Sequence, residues 1–196
     1  MMNKLLWTAT LPVLLAGCAS APPAPPADMS WVPQARAVST SVPPKLLAVL
    51  QEEIARGGPE GAIAVCREQA PALARAASEQ SGWTVRRVSL RNRNPKAVPD
   101  AWERATLEDF DRRAAAKESP ATLERAEVLL EDGRPVQRYM RALPTLELCT
   151  QCHGTPDKLS PAVVARLKTL YPDDRATGYR VGEIRGAMTL QRPAPN

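Results

Sequence analysis

The sequence predicts an α+β fold, an antiparallel sheet with N-terminal helices packed on it, and three observations carry that expectation. Apolar residues recur at helical spacing through residues 46–77, and again at 161–170. Between those stretches, two alternating runs flank a tight turn around Asp132-Gly133. Helices gathered ahead of a strand hairpin, rather than strict strand–helix alternation, mark an α+β domain. A chain of 196 residues suits one well-cored domain and is short for two.

The segments follow in order. Lys4 precedes an apolar run from Leu5 to Ala16, too short to span a bilayer as a stable helix. It ends in Leu15-Ala16-Gly17-Cys18, which resembles the lipobox of bacterial lipoproteins. The expectation is a signal peptide over 1–17, cleavage before Cys18 and lipidation of that cysteine. Ala19 stands where an aspartate would favour retention in the inner membrane, so the expected location is the periplasm, on the inner leaflet of the outer membrane. Residues 18–43 read as a Pro/Ala-rich tether, because Pro22, Pro23, Pro25, Pro26, Pro33 and Pro43 favour extended backbone. The globular domain is expected over 44–196.

Within it, Leu46, Leu47, Leu50 and Ile54 mark a helix stopped by Gly57-Gly58. A second helix starts near Pro59 with Ile63, Cys66, Ala70, Leu73 and Ala77 on one face, and Pro71 is expected to kink it. Trp83–Leu90 reads as a strand, Asn94-Pro95 and Pro99 as a loop, and Trp102, Leu107, Phe110 and Ala114 as a helix. Ala126, Val128 and Leu130 alternate towards the turn, and Val136–Leu143 returns from it. A helix over Pro161–Leu170 and a strand over Ile184–Leu190 follow.

The formal charge is +5, but basic residues are scattered among acids, with local density only around Arg86, Arg87, Arg91 and Arg93. No aromatic-studded basic stripe accompanies them, which argues against nucleic acid as a partner. Aromatics make up 4% of residues and Phe110 is the single phenylalanine, so the core has room for a large aromatic filler.

Cys149-Thr150-Gln151-Cys152-His153 is a C-x-x-C-H motif, the pattern of c-type haem attachment. Two thiols at this spacing add to two porphyrin vinyl groups while the adjacent imidazole reaches the iron. Chance produces such a pentapeptide in roughly one chain in a thousand of this length, so coincidence is a poor explanation. A thioredoxin-like redox pair would want a βαβ setting. A zinc site would want a second histidine or cysteine pair. Neither is present. An exported chain suits the haem reading, since covalent attachment occurs outside the bacterial cytoplasmic membrane.

His153 is the one histidine, which excludes bis-histidine ligation within a chain. Of four cysteines, Cys18, Cys149 and Cys152 are accounted for, and Cys66 is left. The candidates for the second axial position are Cys66, Met140, Met188 or none; by itself Cys66 also suits a small core residue. Arg87 and Arg91 are candidate partners for the haem propionates, against a solvated strand face.

Several stretches occur together in order: Ala64-Val65-Cys66 with Ala70-Pro71, Arg87 to Pro95, Trp102-Glu103, Cys149 to Gly154, Tyr171-Pro172-Asp173-Asp174, Gly178-Tyr179 and Gly182 to Gly186. This set resembles a periplasmic single-haem c-type family with a PAS-like fold, long catalogued as a domain of unknown function and also found as a sensory module. The resemblance spans about residues 46–190. It implies one covalent haem c with His153 and Cys66 as axial ligands. The function expected is a non-enzymatic redox or small-ligand sensor signalling through a periplasmic partner, with a tethered c-type cytochrome electron carrier as the alternative. A haem enzyme is disfavoured because no second histidine is present to serve as a distal base.

Overall fold

The computed structural model describes residues 28–195, so the leader and the lipidation expected at Cys18 lie outside the described residues. The elements are α1 (Val32–Ser81), β1 (Thr84–Val88), α2 (Ala101–Ala115), β2 (Glu124–Glu131), β3 (Arg134–Pro144), the single-turn α3 (Thr150–His153), α4 (Pro161–Leu170) and β4 (Ile184–Pro193). The four strands form one antiparallel sheet in the order β1-β4-β3-β2. The architecture is α+β with an N-terminal helix on the sheet, as the sequence indicates.

The boundary of the domain is earlier than expected. Residues 32–43, assigned from sequence to the tether, are helical, and Ala35, Ser39 and Val42 are buried beside Trp31. Their spacing of four, four and three residues puts them on one face, and packing that face on the sheet outweighs the poor helix propensity of the prolines. Pro33 sits in the first turn, where its missing N–H has no partner to lose.

Gly57 (φ −139°) and Gly58 (φ +71°, ψ 172°) are the non-helical residues inside α1, and they divide it into two arms. Gly58 holds a left-handed φ that a side chain would strain. Pro71, expected to produce the kink, lies on the exposed side within helical backbone. Both arms reach the same core. Trp31, Ala35 and Val42 from the first, with Leu73 and Ala77 from the second, pack on Trp83, Val85, Tyr139, Met188 and Leu190.

The opposite sheet face is covered by α2, whose Leu107 and Phe110 pack on Val88, Leu123, Met140, Ala142, Ile184 and Ala187. α2 starts at a capping box: the Asp100 carboxylate accepts from Glu103 N at 2.8 Å and Glu103 from Asp100 N at 2.9 Å. Glu103 is fully buried and also accepts from Arg86 and from the Thr189 hydroxyl, which ties α2 to β1 and β4. β2 and β3 join through Asp132 (φ +50°) and Gly133 (φ +75°), the two-residue turn that the Asp-Gly pair calls for. A third cluster sets Ile63 of the second arm against Val163 and Leu167 of α4, with Cys152, Leu159 and Tyr171 at its margin.

Glu124 on β2 fastens the first arm to the sheet. It accepts from Arg36 at 2.8 Å, from Tyr139 Oη at 2.7 Å and from Arg141 at 3.0 Å. The Arg36 bond, opposed by burial and aided by Tyr139, lowers its pKa from 4.5 to about 2. A depressed carboxylate pKa stabilises the fold above about pH 4.5, and the contribution is lost as pH falls towards 2. Glu124→Gln is therefore expected to be less stable than wild type at pH 7, by about 1 kcal/mol after solvent screening. Urea unfolding followed from pH 7 to pH 2 checks this: the gap between the two proteins should narrow below pH 4.5, and a constant gap rejects the assignment.

Candidate functional site

The C-x-x-C-H stretch follows β3 through a 3-10 turn, Glu147–Cys149, and occupies α3 with Cys149 at its N-cap. One helical turn places Cys149, Cys152 and His153 on neighbouring positions of the same face, since residues three and four apart are adjacent on a helix. Gly154 ends the turn in extended backbone. A Cβ there would lie 2.4 Å from the Thr150 carbonyl oxygen, so the tight exit requires glycine. The glycine amide donates to Thr150 O at 2.9 Å.

The loop after α4 holds the histidine. Tyr179 N donates to His153 O at 2.9 Å and Gly178 N to Gly154 O at 2.7 Å. His153 Nδ1 lies 2.6 Å from the Ala176 carbonyl, which fixes the ring and assigns the proton to Nδ1, leaving Nε2 unprotonated as the acceptor nitrogen. Burial pushes the imidazole pKa well down, and Arg185, Arg93 and Arg87 push it further, so the ring is neutral. Neutral imidazole is the ligating form.

Cys66 comes from the second arm of α1, one turn past buried Ile63. Burial pushes its thiol up to about 11, and Cys152 adds to the effect, while Arg185, Arg93 and Arg87 oppose it. The arm meets the C-x-x-C-H turn at this level, since Ile63, one turn before Cys66, lies in the cluster that Cys152 borders. The Cys152 Sγ in turn lies 3.8 Å from the Pro59 carbonyl of the same arm. Cys66, Cys149 and Cys152 are all free and partly buried. No group of three or more His, Cys, Asp or Glu among the described residues is arranged to hold a metal ion directly.

The two arginines expected at the site differ in their surroundings. Arg87 faces the site: Arg185, Tyr179, Cys149 and Arg93 all act on it, and burial lowers its affinity for its proton. Arg91, the other expected propionate partner, is engaged elsewhere. Its guanidinium stacks on the Tyr179 ring at 3.7 Å, donates to Thr177 O at 3.1 Å and pairs with Glu183 at 3.9 Å. These contacts form because Tyr179 and Glu183 fold back over the end of β1. Arg93 braces the histidine loop, donating to Cys152 O at 2.6 Å and pairing with Asp174 at 3.0 Å.

Arg185 was not singled out from sequence, yet its Nη1 lies 3.4 Å from His153 Nε2. A bulge puts it there. Leu143 pairs with Gly186 and Pro144 with Ile184, so Arg185 has no partner on β3. Gly186 (φ +151°) makes the distortion possible, since a Cβ would lie 2.3 Å from the Val88 carbonyl of β1. The sequence signal was an isolated glycine inside a strand pattern.

Met140 is fully buried under α2, on the sheet face away from α1. Met188 is buried in the core beneath α1, with Trp31, Trp83 and Tyr139. Of the candidates for the second axial position, Cys66 is the residue set among the C-x-x-C-H side chains and the arginines.

The donor set fits a haem: two thiols on one turn, a neutral imidazole whose Nε2 faces Arg185 Nη1 at 3.4 Å, a third thiol from a facing helix and two guanidiniums without carboxylate partners among the described residues. His153 and Cys66 would serve as axial ligands, Cys149 and Cys152 as attachment points, and the guanidiniums as partners for carboxylates. The orphaned Arg185 Nε, buried without an acceptor, is an observation in favour of that fit.

The fold and site together define an α+β domain built around a C-x-x-C-H turn facing a helix cysteine. The chain belongs to the Tll0287-like family, whose model matches residues 27–193. Its fold is that of a crystal structure described as the cyanobacterial heme-protein Tll0287. The two share 22% identity over 87% of this chain and 99% of that one, with a TM-score of 0.65. No curated protein matches the chain.

Proposed function

We propose that this chain is a periplasmic lipoprotein carrying one covalent c-type haem on Cys149 and Cys152, with His153 and Cys66 as axial ligands, and that it acts as a redox or small-ligand sensor. The observation that carries the reading is the packing of the helical arm that bears Cys66 against a C-x-x-C-H turn whose histidine ring is already oriented by Ala176. The family relative described as a heme-protein supports it. The haem supplies an iron that exchanges one electron and takes two axial ligands.

The chain's own residues supply the switch. A thiolate donor favours the ferric state over the ferrous. With the Cys66 thiol pushed up to about 11 by burial, an unligated Cys66 would be a neutral thiol in its buried setting. Ligation by Cys66 would tie the second arm of α1 to the C-x-x-C-H turn. The arm has a break at Gly57-Gly58 about which to move, and such a two-state element is what sensing requires. No catalytic role is assigned, and the partner proposed is a periplasmic redox or signalling protein.

One observation favours the second reading, a tethered electron carrier. Leu146 is 44% exposed and Val181 55% exposed, and the Gly182 N to Thr145 O bond holds their segments together beside Cys149. An apolar rim next to the attachment turn suits brief docking of a redox partner.

Three measurements test the proposal. Expressed with the cytochrome c maturation machinery, wild type should keep its haem through acid–organic extraction and Cys149→Ser/Cys152→Ser should lose it; haem extracted from wild type sinks the reading. Cys66→Ala should raise the potential by on the order of 100 mV, within the roughly 0.8 V that axial ligands span, and turn low-spin ferric iron high-spin or water-ligated. Met140→Leu should leave the spectrum alone, and the reverse pattern in redox titration and EPR assigns the ligand to methionine. For the anchor on Cys18, wild type should fractionate with membranes and Cys18→Ser should not; identical fractionation removes the lipid from the proposal.

A further inference from the structure

We propose that Arg87 and Arg185 form a two-guanidinium subsite that takes the paired carboxylates of the haem, one each. This rests on the haem reading above and adds the chain's own contribution to orienting and charging the group.

Charge pairing singles these two out. Neighbouring arginines have carboxylate partners: Arg86 pairs with Glu103, Arg91 with Glu183 and Arg93 with Asp174. Arg87 and Arg185 have none among the described residues, although both are partly buried and act on each other electrostatically. Two cations held together away from bulk water cost free energy unless an anion joins them. Buried Arg185 Nε lacks any acceptor.

The backbone brings the pair together from adjacent strands. β1 and β4 are neighbours, with Arg87 opposite Met188 and Val88 opposite Ala187. Gly186 lets the two strands close over the Val88 carbonyl, and the bulge turns Arg185 towards His153, while Arg87 shares the sheet face of its partner Met188, the face that α1 covers. The pair therefore sits at the C-x-x-C-H turn, where the attached group would lie. Planar guanidiniums bind carboxylates in bidentate fashion, and a pair of them matches a pair of carboxylates.

The ledger of formal charge closes on the same answer. Ferric iron, a porphyrin dianion and the Cys66 thiolate sum to zero, which leaves two carboxylates to balance two guanidiniums. The subsite thus makes the ferric centre neutral as a whole. Adding an electron, before any proton follows, leaves the centre with one negative charge, and removing either guanidinium makes that addition harder.

The test uses the full-length, haem-loaded protein and compares wild type with Arg87→Gln, Arg185→Gln, the double variant and Arg112→Gln, an exposed arginine on α2. Thioether attachment keeps the haem in place while the carboxylates lose their partners. Resonance Raman propionate bending bands should shift in each single variant and in the double, with the band set of Arg112→Gln unchanged. The potential should fall, in the double variant by at least a tenfold change in the reduction equilibrium, 59 mV for one electron. Arg→Lys at either position should recover part of both effects, and supplies the comparison if the double variant does not mature. Unchanged bands and potential in the singles overturn the subsite. So does a saturable shift of those bands when inorganic phosphate is added to wild type, since the guanidiniums would then be open to a diffusible anion. A wild type without covalent haem overturns the underlying reading, which haem staining reports independently.

Discussion

Everything at the site depends on α1 being long and broken. Its 50 residues, straight, would reach about 75 Å, several times the ~15 Å radius of gyration of a domain this size. The break at Gly57-Gly58 folds the helix so that one continuous segment does two jobs. The first arm seals one face of the sheet through Trp31, Ala35 and Val42. The second carries Cys66 past α4 to the C-x-x-C-H turn while Leu73 and Ala77 return to the same core. A helix without the break would cover the sheet or face the turn, not both.

The surroundings of His153 are mostly backbone. The ring is held by the Ala176 carbonyl, the chain after it by amides of Gly178 and Tyr179, and Arg93 with Asp174 braces those carbonyls from behind. Backbone partners are fixed by the path of the loop, so the ligand geometry survives side-chain variation at many loop positions. The side chains that remain free for chemistry are then few: three thiols, one imidazole and two arginines.

How much was legible follows the range of the interactions. The Asp132-Gly133 turn, the Leu107/Phe110 face of α2 and the Gly57-Gly58 break are local, and each announced itself in a few residues. The C-x-x-C-H motif is local too, so the place of the candidate site was readable before the fold. Residues 32–43 were hidden because proline density is a louder signal than a stripe of one tryptophan, one alanine, one serine and one valine. Arg185 was hidden because a bulge exists only relative to the partner strand, and that strand lies about forty residues away in sequence. Arg91 and Arg87 looked alike on β1 and its exit; only the folded-back Tyr179 and Glu183 separate them.

The strand order has a consequence for how the molecule is made. β4 follows the other three strands in sequence yet lies between β1 and β3, so until it arrives β1 has no strand to pair with and the β2–β3 hairpin stands alone. A polypeptide emerging amino-terminus first therefore cannot lock its sheet until residues 184–193 are out. A two-stranded hairpin by itself is marginal in water. During vectorial synthesis or passage through a membrane pore, the C-x-x-C-H segment is exposed well before the tertiary structure closes over it, an interval in which a modifying enzyme would meet an open chain rather than a finished domain.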